Sequence, residues 1–324
     1  MRTKTLMLAA AAGLAVASLT AAASAQDNYP ERPIHFVAPY GPGGTVDPTM
    51  RILAAATQEI LGEATVAENR AGAAGSVGTE YVVNSDPDGY TVLVHTNVLA
   101  SEACLKPNLP YDFLESMRPV NKLVVTPFVI LVNPDLPVET VDELVAYAKE
   151  NPGELNYGAS GVGSSGQMRG EQFKVNNDVD IAYIPYQDGG STLAALVGGE
   201  IQVAFDTLPG SIGMIRDGRL RLLAVSTDER WPLVPETPTM KELGYTTLAS
   251  QWIGAFVHKD TPQPIVDKLA ATFDEALQKP DVIEQFENLG FAIVNRGPDE
   301  TLEEMQAETE EWCKVIETAG ISIE

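Results

Sequence analysis

Residues 34–44 read IHFVAPYGPGG, and residues 155–166 read LNYGASGVGSSG. Each stretch begins with a short apolar segment that predicts a strand and ends in a glycine-rich turn. The first turn leads into a predicted helix with one apolar face, formed by Met50, Leu53, Ala54, Thr57 and Leu61. The second turn leads into a predicted helix that runs through Phe173. A strand, a glycine-rich turn and a helix therefore follow one another twice along the chain.

The rest of the chain alternates strand-like and helix-like segments, which predicts an α/β fold. Further strands are expected at 90–94, 181–185, 201–205 and 220–225, and helices at 140–149, 191–197, 262–278 and 298–318. Thr140 is the expected N-cap of the first of these helices, with Glu143 completing a capping box. Residues 124–132 are apolar except for the interruption at Pro127, and they resemble a strand that crosses between domains. Because no low-complexity linker is present, two domains would be joined by such crossovers, near residues 124 and 250.

Residues 1–25 are predicted to be a removable signal peptide. Arg2 and Lys4 precede an apolar stretch from Leu6 to Leu19, and Ala-Ser-Ala at 23–25 fits the pattern that signal peptidase cleaves. The apolar stretch is short for a membrane anchor, which is the alternative. We therefore expect an exported, soluble mature protein that begins at Gln26.

Composition and charge narrow the classes of function. A hydrophobic content of 44% excludes a disordered chain. The chain carries 45 acidic against 21 basic residues, a net charge of −24. Such a surface repels phosphate backbones and anionic headgroups, so neither nucleic acid nor a membrane surface is an expected partner. Two cysteines are too few for a disulfide framework, and Cys104 and Cys313 are either bridged to each other or separately buried thiols.

Motifs for catalysis and for cofactors are weak. Gly161-x-Gly163-x-x-Gly166 matches the dinucleotide fingerprint, but it lies in mid-chain and lacks a clear acidic residue at the expected distance. There is no Gly-x-Ser-x-Gly elbow, no His-Glu-x-x-His motif and no histidine pair at ligand spacing. The three histidines, including His95, are interpreted as strand or surface residues. No metal or cofactor is therefore predicted, and an exported hydrolase that uses an unassigned carboxylate stays an alternative.

The two glycine-rich turns at helix starts are the strongest candidate site. A helix N-terminus presents unpaired N–H groups and a partial positive charge, and glycine lets a ligand approach the backbone. Two such ends across a cleft would hold an anion with two negative ends, without any lysine. The alternative is that the glycines only make tight turns. Asp47 is either an N-cap that competes with the ligand, followed by Pro48 at N1, or part of the first turn of a helix that begins nearer Gly44.

Further motifs give the chain a family resemblance. They are YPxRPI at 29–34, PGGxxDxxxR at 42–51, ENRxGAxG at 68–75, PDGYT at 87–91, YGxSGxGS at 157–164, PY at 185–186, GEIQ at 199–202 and FD at 205–206. Trp312 and the closing Ala-Gly-Ile at 319–321 also fit. Because it carries all of these motifs in this order, the chain resembles the extracytoplasmic solute receptors of tripartite tricarboxylate transporters, also called Bug receptors.

The resemblance implies a two-lobed α/β fold of the periplasmic-binding-protein, Venus-flytrap type (type II-like). Lobe 1 would comprise residues 26–124 and 251–324, and lobe 2 residues 125–250. The implied function is that of a periplasmic receptor, not an enzyme, that captures a small organic carboxylate between its lobes without a cofactor. It would deliver this ligand to the integral membrane subunits of the transporter. A sensory receptor with the same binding physics is a further alternative.

The resemblance also implies ligand contacts, made largely through backbone N–H groups and water. The first-lobe contacts would be Tyr40, Gly43, Gly44 and Thr45, with Ala73 and Ala74 nearby, and the second-lobe contacts Ser160, Gly163, Ser164 and Ser165. Asp206 matches a position that can recognise the second end of a ligand, and its alternative is a turn residue at a strand end. The family often has Pro-Tyr-Lys-Gly where this chain has Pro-Tyr-Gln-Asp at 185–188. If Asp188 lines the cleft, a less anionic or mixed-charge ligand is favoured, and if it points outward nothing follows.

Overall fold

The structure is a computed structural model, which describes residues 28–42, 44–106, 108–161, 163–246 and 250–319. The predicted signal peptide and the site residue Gly43 lie outside the described residues. No helix in the described ranges is long and apolar enough to cross a membrane.

Strands and helices alternate along most of the chain. The strands are β1 (Ile34–Ala38), β2 (Thr65–Asn69), β3 (Thr91–Thr96), β4 (Met117–Thr126), β5 (Phe128–Val132), β6 (Asn156–Ala159), β7 (Ala182–Pro185), β8 (Val203–Thr207), β9 (Arg221–Val225), β10 (Gln251–His258) and β11 (Ala292–Arg296). The helices are α1 (Val46–Leu61), α2 (Ser76–Val83), α3 (Leu99–Leu105), α4 (Phe113–Ser116), α5 (Val141–Glu150), α6 (Ser165–Asn177), α7 (Gly189–Gly198), α8 (Leu208–Arg216), α9 (Gln263–Gln278), α10 (Pro280–Asn288) and α11 (Pro298–Ala319). A short 3₁₀ turn, Ala73–Gly75, precedes α2.

The strands form two mixed sheets. One has the order β11-β4-β10-β3-β1-β2, and the other the order β7-β6-β8-β5-β9. β1 runs parallel to β2 and β3, as strand–helix–strand units require, and β6 runs parallel to β7 and β8. The remaining pairs are antiparallel: β10 with β3 and β4, β11 with β4, and β5 with β8 and β9. The predicted two-lobed α/β architecture is confirmed.

Each sheet has its own apolar core. In the six-stranded sheet, Phe36 packs with Met50 of α1 and Phe273 of α9, all fully buried. In the five-stranded sheet, Tyr157 and Phe205 pack together with their ring centroids 5.7 Å apart. Parallel strands are covered by helices on both faces of the sheet, and such strands are therefore rich in buried Val, Ile and Leu.

A smaller cluster joins the C-terminal helix to α3, which follows β3 of the first sheet, and to α6, which follows β6 of the second. Trp312 and Ile316 of α11 pack against Leu105 of α3 and Met168 of α6. Beside this cluster a disulfide links Cys104 to Cys313, whose Cα atoms are 5.4 Å apart. The bridged alternative for the two cysteines is therefore the one that the structure adopts.

The start of α5 and the break between β4 and β5 follow from local sequence signals. Thr140 caps α5, and Glu143 completes the capping box, as predicted. The apolar run at 124–132 is two strands, since β4 ends at Thr126 and β5 begins at Phe128, in different sheets. Pro127 separates them because proline cannot donate a ladder hydrogen bond.

Candidate functional site

Both glycine-rich turns lie at the carboxyl edges of their sheets, next to the connections between the sheets. In the first sheet, Gln251 pairs with Thr126 and Ile253 pairs with Thr96, which places the ends of β4 and β3 beside the start of β10. In the second, pairing of Phe128 with Thr207 places the ends of β6 and β8 beside the start of β5. Ligands of open α/β sheets bind outside such carboxyl ends.

The first turn leaves the N-terminus of α1 without a side-chain cap. Thr45 is the N-cap residue, but it has helical backbone angles and its side chain makes no capping hydrogen bond. The Oγ1 atom of Thr45 instead accepts a hydrogen bond of 2.7 Å from Nε2 of Gln251. A Cβ atom placed on Gly44 would meet nothing within 4 Å, so the approach to this helix end is open.

Asp47 lies within the first turn of α1, and its alternative role as the N-cap is wrong. The helix begins at Val46, one residue before Asp47, because the backbone is already helical at Thr45. The Asp47 carboxylate accepts a hydrogen bond of 3.0 Å from Nε of Arg51, one helical turn further on. It is therefore paired with a cation and does not cap the helix.

Tyr40 belongs to a buried polar cluster with His95. Nδ1 of His95 lies 3.0 Å from the Thr96 carbonyl, which can only accept, so Nδ1 carries the proton and Nε2 is an acceptor. Burial lowers the pKa of His95 to about 3, which keeps the ring neutral. The Tyr40 hydroxyl, 3.5 Å from Nε2, therefore donates its hydrogen to His95. Burial also holds the pKa of Tyr40 well above its usual value.

Ala73 and Ala74 form a left-handed turn between β2 and α2. Their φ angles are 45° and 51°, and those of the flanking Gly72 and Gly75 are also positive, at 152° and 99°. Alanine in this region costs free energy, so the surrounding contacts must hold the turn. Lys106 provides one such contact, because its Nζ lies 3.3 Å from the Ala73 carbonyl.

The second turn, unlike the first, is capped by its own side chains. Ser164 is the N-cap of α6 and accepts a hydrogen bond of 3.4 Å from the Gln167 backbone N–H. The backbone N–H of Gly163 donates to Oε1 of Gln167 at 2.6 Å. Ser160 is exposed, and Ser165 is half-buried in the first turn of the helix. A ligand that used the Gly163 N–H would have to displace the Gln167 amide.

Asp206 and Asp188 have different environments. Asp206 lies at the end of β8, and its Oδ1 accepts a hydrogen bond of 2.7 Å from the Thr207 N–H. Burial raises the pKa of Asp206 to about 6. Asp188 is exposed and caps α7, in a capping box with Ser191 that lowers its pKa. The carboxylate of Asp188 thus serves as a cap, and its effect on the charge of the ligand stays a prediction.

The site residues predicted from the sequence thus divide between two sheet edges. Tyr40, Gly44 and Thr45 lie at the first, with Ala73 and Ala74 on the next connection of the same sheet, and Ser160, Gly163, Ser164, Ser165 and Asp206 lie at the second. Their contacts with a ligand stay a prediction. Within the described ranges, no group of three or more His, Cys, Asp or Glu side chains could hold a metal ion.

Three residues at these edges were not predicted. Gln167 has a local signal, because Ser164-x-x-Gln167 is the capping-box pattern. Gln251 and Lys106 have none, since each reaches its turn from a distant part of the chain.

Comparisons with known proteins connect this geometry to a family. Residues 49–321 match the family described as "Tripartite tricarboxylate transporter family receptor". The chain is 36% identical over 313 residues to Protein BugT of Bordetella pertussis, covering 96% of each. Its structure resembles a Rhodopseudomonas palustris protein solved with adipate, with a TM-score of 0.86 and 32% identity, covering 91% of this chain and 99% of that one. It also resembles MatC from Rhodopseudomonas palustris with bound malate, with a TM-score of 0.82 and 28% identity, covering 89% and 100%. The chain belongs to the receptor family of the tripartite tricarboxylate transporters.

Proposed function

We propose that this receptor captures a small organic dicarboxylate between its two sheets and hands it to the membrane subunits of a tripartite tricarboxylate transporter. The observation that carries the proposal is the position of the two strand–turn–helix units. Each lies at the carboxyl edge of its own sheet, and both edges adjoin the connections between the sheets. A ligand between these edges would meet one helix N-terminus from each side.

Each of the two proposed lobes contains one of the two sheets. The chain crosses between the sheets twice, at Pro127 between β4 and β5, and again between β9 and β10. Phe128 N–H donates to Oγ of Ser226 at 2.9 Å, and Oγ of Ser226 lies 3.5 Å from Oγ of Ser250, so the two crossings between the sheets lie side by side. Lobe 1 would thus include both termini of the mature chain, and hinge closure about these connections would enclose the ligand.

The chemistry of the edges favours an anion. The N-terminus of α1 has no side-chain cap and an open approach at Gly44. Two relatives are described with adipate and malate, which both carry a carboxylate at each end. A second carboxylate would face the α6 turn, where displacement of the Gln167 amide from Gly163 frees an N–H donor. We infer binding without catalysis and a periplasmic location for the exported chain.

Isothermal titration of the mature chain, residues 26–324, tests the proposal. The panel would contain adipate, malate and a monocarboxylate of similar length, followed by analysis of each acid for chemical change. We expect one-to-one binding of at least one dicarboxylate, no turnover, and weaker binding of the monocarboxylate. No binding of any acid would refute the proposal, and product formation would favour a hydrolase instead.

A further inference from the structure

The left-handed turn that contains Ala73 and Ala74 is held by a buried ion pair on α3. Lys106 and Glu102 lie one helical turn apart, with Nζ and Oε1 separated by 2.7 Å. Their side chains are 14% and 3% exposed, which makes this pair one of the most enclosed in the described structure. A buried ion pair of this kind is maintained only when its remaining hydrogen-bonding capacity is also satisfied.

The ammonium group of Lys106 has no donor left for a ligand. It donates to Glu102 at 2.7 Å, to Oγ of Ser76 at 2.7 Å and to the Ala73 carbonyl at 3.3 Å. An ammonium group has three N–H bonds, so these three acceptors use all of them. The ammonium group of Lys106 is therefore occupied in holding the protein and is not available to an anion.

The carboxylate of Glu102 is enclosed in the same way. Its Oε1 accepts from Lys106 and lies 3.4 Å from the Ser76 hydroxyl, and its Oε2 lies 3.4 Å from the hydroxyl of Tyr111. Ser76 is the first residue of α2, directly after the left-handed turn. The pair thus joins both ends of the 3₁₀ turn, at Ala73 and at Ser76, to α3.

The turn needs such an attachment because its own conformation is unfavourable. Four successive residues, Gly72 to Gly75, have positive φ angles, and two of them are alanines. Gly75 cannot be replaced without crowding, because an added Cβ would lie 3.1 Å from both Nε2 of His95 and the Tyr40 hydroxyl. The turn is therefore packed between the Tyr40–His95 contact and the ion pair.

We propose that Lys106, through its pair with Glu102, is a positioning residue that sets the backbone of the Ala73–Gly75 turn for ligand binding. The inference rests on the proposed function, in which this turn borders the first-lobe part of the site. It assigns to Lys106 an indirect role, in contrast to the direct anion contact that a lysine beside such a site would suggest.

The test uses the mature chain with the double substitution E102Q/K106M, because K106M alone would leave a buried carboxylate without its cation and could prevent folding. The matched control is E171Q/K174M, which removes another partly buried ion pair on a helix, of 3.0 Å, that touches neither turn. Hydrogen exchange of the amides at 73–77 is measured without ligand, and adipate and malate are titrated into each protein. We expect exchange at 73–77 to be at least tenfold faster and affinity at least tenfold weaker in E102Q/K106M, with neither change in the control.

Each arm can overturn the inference. Unchanged exchange at 73–77 would show that the pair does not hold the turn. Faster exchange with affinity within twofold of wild type would show that the turn does not affect binding. If the wild-type chain binds neither acid, the proposed function fails for these ligands, and the exchange result alone then decides whether Lys106 positions the turn.

Discussion

Replacement of Gly44 by valine separates the proposed binding role of the first turn from a purely structural role. Gly44 is exposed, its φ angle is not in the left-handed region, and an added Cβ would contact nothing within 4 Å. The free energy of unfolding should therefore change by less than about 0.5 kcal/mol, as for ordinary surface substitutions. The valine side chain would nevertheless occupy the space through which a carboxylate reaches the start of α1.

The expected loss of binding follows from the hydrogen bonds that valine would block. Each hydrogen bond between a backbone N–H and a carboxylate contributes about 1.5–3 kcal/mol. Loss of two at the α1 N-terminus would cost about 3 kcal/mol or more, which weakens binding roughly a hundredfold. A receptor of micromolar affinity would then bind with a Kd of about 0.1 mM, which a titration at higher ligand concentration measures.

The measurement pairs titration of adipate and malate with urea unfolding of the same preparations. G213V is the matched control, because Gly213 lies in α8 with no atom within 4 Å of an added Cβ and outside both turns. G163V is not equivalent, since Gly163 has a φ of 79° and a side chain there strains the backbone as well. Full affinity in G44V, or lost affinity together with a large loss of stability, would refute the reasoning.

Three further changes have expected outcomes. Substitution of both Cys104 and Cys313 by serine opens a loop of 209 residues and should lower the free energy of unfolding by up to about 5 kcal/mol, whereas an unchanged urea midpoint would contradict this. Burial raises the pKa of Asp206 to about 6, so the folded state holds this proton more tightly than the unfolded state does. The contribution of Asp206 to the free energy of unfolding should therefore fall as the pH rises from about 4 to about 6. D206N should remove that part of the pH dependence, as urea midpoints at several pH values would show. D188A should cost about 1 kcal/mol of stability through loss of the α7 cap and leave affinity unchanged, and weaker binding would instead place Asp188 at the ligand.

The sequence predicted the parts of the fold that local rules determine. The Thr140 capping box and the break at Pro127 depend on residues within a few positions of one another, and both appear in the structure. The start of α1 was ambiguous, because the sequence left open whether Asp47 caps the helix or lies in its first turn. In the structure Asp47 pairs with Arg51, and Thr45 is the N-cap residue.

The contacts that shape the site could not be predicted, because they join distant segments. Gln251 reaches Thr45 across 206 positions, and Lys106 reaches Ala73 across 33. Neither spacing follows a helical or strand period, so only the assembled sheet brings these residues together. Such contacts depend on strand order and register, which hydrophobic periodicity does not specify.

Pairing of acidic residues around the first turn explains how a chain with a net charge of −24 can offer a site for anions. Three of the carboxylates on the elements that border this turn have a basic partner close by: Asp47 has Arg51 at 3.0 Å, Glu68 has Arg70 at 3.2 Å, and Glu102 has Lys106 at 2.7 Å. The two opposite charges of an ion pair largely cancel at distances greater than their separation. At physiological salt, the fields of more distant charges are screened within about 8 Å. What remains near the turn is the partial positive charge of the α1 N-terminus, which acts over the length of a hydrogen bond. If the proposed function holds, the excess negative charge of the surface would oppose a bound carboxylate only weakly, and we expect local N–H geometry to set the selectivity of the site.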